Sequence, residues 1–229
     1  MSARWSNLIL LTFRAPAEVV RPHIHEQLEL DEWEGHCHVS VVAFDFQDTR
    51  LRGRRIPGFI NFPELNLRTY VRQAGQLGVS FIREYVPSRV VATVARLRYN
   101  EPYHTLDISS RTVGTGDEIL VEHVWGGRTG GGEQHITTTA SQASVIPPPD
   151  GPVCHFTEHR WGFGTNRRGQ LVSYRVEHPT WAVRDIRSLD YAIDFQSLYG
   201  PEWAFLNAER PVRTTLAVGS PIEVFPPGR

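Results

Sequence analysis

Short runs in which apolar and polar residues alternate recur along this chain and are bounded by glycine and proline, the pattern of β-strands joined by turns. The clearest is Phe62-Pro63-Glu64-Leu65-Asn66-Leu67-Arg68-Thr69-Tyr70-Val71. In an extended backbone successive side chains point to opposite faces. Leu65, Leu67, Thr69 and Val71 therefore share one face, and Glu64, Asn66, Arg68 and Tyr70 the other. One strand carries an acid, an amide, a guanidinium and a phenol in a line. Periodicity leaves two readings open. The stripe is either the wet face of a half-buried strand, or it lines a barrel or cleft, where charges are paired and serve a site.

The remaining pattern is of the same kind. Trp5 to Phe13 predicts a first strand, and Pro16 to Gln27 a short helix with proline in its first turn, limited by Pro22. Leu28 to Trp33 and His36 to Phe46 flank Glu34-Gly35 as a hairpin. Gln47 to Pro57, with Arg50, Arg52, Arg54 and Arg55, reads as a solvated polar loop. Gly75 and Gly78 mark a turn after which Val79 to Val86 pairs back on the Glu64 to Val71 strand. Val90 to Tyr99 predicts a further strand leading to the turn-prone Asn100-Glu101-Pro102 and to Tyr103-His104. Ile119 to Trp125 and Gln134 to Ser141 form a hairpin whose tip holds Gly126, Gly127, Gly130, Gly131 and Gly132, a mobile tip and not a dinucleotide cradle. Pro147 to Pro152 is a stiff crossover. Leu171 to Val176 and Arg213 to Val218 predict strands, and Leu189 to Tyr199 a helical turn. Many short strands with few helices indicate a single mainly β domain over residues 1–229, a barrel or sandwich.

Composition narrows the chemistry. All 24 basic side chains are arginine. Without lysine there is no Schiff-base mechanism on a lysine amine and no Walker-type phosphate loop. A formal net charge of −1 gives no pull towards nucleic acid or an anionic membrane. The two cysteines, Cys37 and Cys154, have neither metal nor redox spacing, which fits a reducing cytoplasm. No stretch approaches the roughly 20 apolar residues that span a bilayer. Ala15-Pro16-Ala17 resembles a signal cleavage site, but the apolar run before it is too short, so it reads as the end of the first strand.

Two histidine clusters stand out. His36 and His38 would share a strand face and, with His23 or His25, offer a zinc site, although no spacing fixes a third ligand. His155, Glu158 and His159 match the HxxEH order of a metalloprotease, with His178 nearby, yet the glycines after Trp161 leave barely a turn of the helix that chemistry needs. A structural role, with Glu158 and Arg160 bridging strands, fits that segment better. No GxSxG nucleophile elbow is present.

The Phe62 to Val71 run, Gly78-Val79-Ser80-Phe81, Pro102-Tyr103-His104, His155 to Arg160 and His178-Pro179-Thr180-Trp181, in this order, resemble the YqjF-like family of uncharacterised conserved proteins. That family is similar in fold to acetoacetate decarboxylase. The resemblance implies an antiparallel, cone-shaped acetoacetate-decarboxylase-like β-barrel with a few short helices, enclosing a small polar cavity. In the decarboxylase a lysine forms an imine with a β-keto acid, its amine activated by a second cationic group beside it. Here Tyr103 and His104 stand where those lysines would be, and Glu64 matches the decarboxylase's glutamate.

With these side chains facing inward, Arg68 would bind a small, anionic organic acid through its planar fork, with Asn66 and Tyr70 as further binding groups. His104 would act as general acid or base, Glu64 would orient it, and Tyr103 would donate to a developing oxyanion. The expectation is a small-molecule-binding protein; if it is an enzyme, it is lyase- or hydrolase-like, needs no cofactor or metal, and acts on a small keto acid. A non-catalytic ligand-binding or interaction module on the same barrel is the alternative, and a metal-dependent enzyme using the histidine-rich segments a third. Homo-oligomerisation is left open.

Overall fold

The computed structural model describes residues 1–88, 103–126 and 132–225. The predicted strand Val90 to Tyr99, the turn Asn100 to Pro102 and most of the glycine-rich tip lie outside them. In chain order the first elements are β1 (Ser2–Arg14), α1 (Ala17–Val20), β2 (Glu29–Leu30), β3 (Glu32–Trp33), β4 (His36–Leu51), β5 (Arg54–Arg55), β6 (Phe62–Gln73) and β7 (Gln76–Val86). Then come β8 (Tyr103–Thr105), β9 (Ile108–Thr115), β10 (Glu118–Gly126), β11 (Glu133–Val145), α2 (Pro152–Thr157), β12 (Trp161–Thr165), β13 (Leu171–Glu177), β14 (Val183–Ala192), α3 (Phe195–Tyr199) and β15 (Arg213–Phe225). Among the described residues no helix is long and apolar enough to cross a membrane.

Strands β1, β4, β6, β7, β12, β13 and β15 pair in that order, and β15 pairs back onto β1, with Ser2 opposite Glu223 and Thr12 opposite Arg213. The result is a closed ring, which leaves none of these strands as a sheet edge. From β15 the sheet also continues outward through β14, β11 and β10 to β9. The expected barrel is present, but it is not wholly antiparallel: β12 and β8 both run parallel to β7. Parallel neighbours need a long crossover, and β12 reaches β7 by way of the outer strands and α2.

The ring has a core on each side of its wall. Inside, Leu8, Leu10, Val42, Phe44, Phe46, Phe62, Tyr174 and Val224 cluster. Outside, Ile9, Leu11, Val41, Leu65 and Leu67 pack with Val121, Trp125 and Ile136 of the extension and with Phe195 and Trp203. Strand alternation thus puts odd and even positions of β1, β4 and β6 in two different cores. Neither face of β6 is wet: Leu65 and Leu67 are 0% exposed, and Glu64, Asn66, Arg68 and Tyr70 are 2%, 2%, 8% and 1% exposed.

Several expectations shift. The Gln47 to Pro57 loop is instead the continuation of β4, a turn at Arg52-Gly53 and β5, with Arg50 and Arg55 both held by Asp48. Gly78 lies inside β7, where an added Cβ would meet the Trp161 carbonyl and the Phe163 ring, while the turn is Ala74-Gly75, both at positive φ. Leu189 to Ala192 belongs to β14, its Leu189 and Tyr191 alternating as in any strand, and only Phe195–Tyr199 is helical. Strand β9, which the pattern did not predict, is almost entirely exposed.

Candidate functional site

All seven ring strands contribute to the wall of one internal cavity: Trp5, Phe44, Glu64, Asn66, Arg68, Phe81, Gly162, Tyr174 and Val224 among others. Tyr103 enters from β8, and His159, His178 and Trp181 from connecting segments. The cavity measures about 90 Å3, counted as space open to the centre of a water-sized sphere. One water needs ~10–15 Å3 on that measure, so the cavity holds a small organic molecule or a cluster of waters. Ten of its lining residues are aromatic, and the polar groups come from β6 (Glu64, Asn66, Arg68), β7 (Glu84), β8 (Tyr103), β13 (Tyr174), α2 (Thr157) and the links that hold His159 and His178. The three side chains of β6 make the longest polar stretch of the wall.

Along that stretch, β4 and β7 flank β6, with Phe44 opposite Glu64, Val42 opposite Asn66 and Phe81 opposite Arg68. Glu64 accepts hydrogen bonds from Asn66 Nδ2 to Oε1 at 3.0 Å and from the Tyr103 hydroxyl to Oε2 at 2.9 Å. Burial pushes its carboxyl up to about 7, against the pull of those two bonds. Burial and then the Glu64 carboxylate hold the Tyr103 phenol well above its usual range, so it stays a donor. Arg68 Nη2 donates to the Phe156 carbonyl at 2.9 Å, but its Nε is buried with no partner. Asn66 Oδ1 and His159 Nδ1 are likewise buried and unpartnered. Buried polar groups usually find a partner in protein or in ordered water, so these three atoms are available to a molecule or to waters in the cavity. His159 is pushed down to about 3 by burial, with Arg68, His155 and His178 adding to the effect, so it is neutral at ordinary pH. Gly162 is required on the cavity wall, since a Cβ there would run into the Tyr174 ring.

The structure brings Glu64, Asn66, Arg68 and Tyr103 together at the cavity wall. It does not bring His104, the expected acid-base residue: His104 is exposed, its ring 5.9 Å from that of Tyr85, and it is absent from the wall. Adjacent strand residues face opposite ways, so with Tyr103 inward His104 is outward. Tyr70 also falls outside the wall; its hydroxyl meets Ser40 Oγ at 2.6 Å and its ring lies against Phe156 and His159.

The histidines at the cavity are His159 and His178, and His159 belongs to the segment resembling a metalloprotease motif. That resemblance fails because α2 ends at Thr157, and the His155 and His159 rings are 6.1 Å apart and nearly perpendicular. Of the other pair, His36 is exposed and His38 is buried against Phe156. Among the described residues no three His, Cys, Asp or Glu side chains are placed to hold a metal. Cys37 and Cys154 are both buried free thiols. The sequence signal for His159 and His178 was their proximity to Trp161 and Trp181, which carry the aromatic wall.

The sequence profile of DUF2071, a family described as uncharacterized conserved protein, matches residues 2–220. The chain belongs to this family. A DUF2071 relative is the uncharacterized protein YqjF of Bacillus subtilis (strain 168), 32% identical over 191 residues, which are 81% of this chain and 75% of YqjF. The DUF2071 fold is shared with solved structures of low identity. An acetoacetate decarboxylase-like enzyme from Sphingomonas wittichii RW1 superposes with a TM-score of 0.66 at 14% identity, over 100% of this chain and 91% of that one. Acetoacetate decarboxylase from Legionella pneumophila gives 0.63 at 13%, over 99% and 86%. The enduracididine biosynthesis enzyme MppR complexed with pyruvate gives 0.63 at 14%, over 98% and 87%.

Proposed function

We propose that this protein binds a small organic acid in the ring cavity, its carboxylate on Arg68, and uses Glu64 to move a proton on or off the bound acid. The observation that carries the reading is one enclosed wall bearing a buried arginine with an unpartnered Nε and a buried carboxyl titrating near 7. An arginine offers a fixed fork of donors that suits a carboxylate. A carboxyl poised near neutral pH suits general acid–base work. The structural neighbours lend support, since one is an acetoacetate decarboxylase and another was solved with pyruvate.

On a 2-keto acid the step balances without a lysine. The Glu64 carboxylate takes a proton from the carbon next to the carbonyl, the C–H electron pair becomes the enolate double bond, and charge moves to the carbonyl oxygen. Arg68 and the neutral donors of the wall stabilise that charge, and return of the proton completes exchange. The test uses pyruvate in D2O, with loss of the methyl proton signal followed by NMR and binding by calorimetry. Arg68→Met is expected to weaken binding by about tenfold or more. Glu64→Gln is expected to bind but to exchange no deuterium, and wild-type exchange is expected to rise with pH through about 7. Binding without exchange would establish the non-catalytic module, which the largely aromatic wall also suits; no binding of any small acid would end both readings.

A further inference from the structure

One side chain is common to the cavity and to a groove on the outside of the ring. His159 lines both the ring cavity and an outer groove walled by Trp33, Leu77, Ile146 and Pro147, with His155 beside it. The groove is about 580 Å3 on the same measure as the cavity. Ile146 and Leu77 are 63% and 42% exposed, among the few large hydrophobic side chains left so on the described surface. Little anchors this histidine. No described residue hydrogen-bonds the His159 ring, whose Nδ1 is buried without a partner. Its ring neighbours are Tyr70 at 5.1 Å and His155 at 6.1 Å between centroids, and Arg68 and His178 lie near enough to act on its charge. It stands on the irregular link between α2 and β12, where no ladder of backbone hydrogen bonds fixes it.

We infer that the outer groove is a second subsite of the same site, taking the apolar tail of a carboxylic acid whose head lies on Arg68, with His159 turning aside to let the tail pass. The proposal rests on the acid-binding reading above and specifies the substrate class: a monocarboxylic acid with an uncharged tail several carbons long. The groove's chemistry requires that choice. Trp33, Leu77, Ile146 and the prolines give it an apolar stretch for a tail, while Asp150 and Glu158 on the same wall would repel a second carboxylate. The Trp33 and His155 rings, 4.5 Å apart and tilted by 39°, close one side.

Calorimetry and stopped-flow binding of straight-chain 2-keto acids of increasing length test this. Affinity should level off once the inner cavity is full, then climb again by about fourfold per methylene as the tail reaches the groove. Ile146→Ser and Leu77→Ser, at exposed positions where folding is not at risk, should remove that second climb and leave pyruvate binding unchanged. His159→Ala should speed association of the long acids. The inference is overturned if affinity falls once the cavity is full, if the two serine variants bind long acids as wild type does, or if His159→Ala leaves their association rate unchanged. If Arg68→Met weakens no acid of any length, it is the acid-binding reading itself that fails.

Discussion

Glu64 is the residue in which burial and function oppose each other. Its carboxyl titrates near 7 when folded and near 4.5 when free, so the folded state binds a proton more tightly than the unfolded one. Stability from this group is complete below about 4.5 and is lost as the pH rises through about 7, an effect on the order of 3 kcal/mol. His159 works in the opposite sense. Its folded value, about 3, lies below the free value of 6.5, so its contribution is present above 6.5 and is lost as the pH falls. Between about 4.5 and 6.5 the two slopes cancel. Glu64→Gln unmasks the histidine: urea unfolding of this variant should gain more stability with rising pH across that window than wild type does. A wild-type slope equal to that of the variant would show that Glu64 is not held protonated.

Strand β6 explains why the wall is rigid enough to hold those groups. Its two faces enter two cores, so truncating one face should unfold the chain and not merely loosen the cavity. Leu67→Ala is expected to cost ~2–5 kcal/mol, seen as a lower urea midpoint with an unchanged m-value. The same strand shows what the sequence could tell. Alternation from Glu64 to Tyr70 assigned each side chain to its face, and absence of lysine removed the lysine imine. Alternation did not say which face was wet, because Leu65 and Leu67 enter a core shared with residues distant in sequence, Val121, Trp125 and Ile136 among them, whose approach is a matter of tertiary packing. Tyr103 and His104 were both expected to face inward, but neighbours on a strand take opposite sides, and only Tyr103 reaches the cavity. Strand β9 was missed because Ser109, Ser110, Arg111 and Thr112 give no apolar period; it is held by its ladder to β10. His159 was visible only as part of a motif whose helical requirement the chain does not meet.

Across the whole molecule, the ring and its extension share β1, β4 and β6 as a common wall. Neither core can be lost without exposing the other, so tryptophan fluorescence and far-ultraviolet circular dichroism should report one coincident unfolding transition. Two separated transitions would make the extension an independent unit. The ring is closed by β1 against β15, at a point where Gly219 leaves no room for a Cβ beside the Trp5 carbonyl. These are the strands furthest apart in sequence, and that fixes an order of assembly. Among the ring strands β1 is made before the others, with Leu8 and Leu10 uncovered, and its partner β15 after them. Contacts between distant segments form late because the intervening chain must first be ordered. The cavity thus comes into being only at the final pairing, and until then its aromatic wall is open to water and to other chains, a period in which chaperone protection matters most. Ligand binding is for this fold a report that the last strand has arrived.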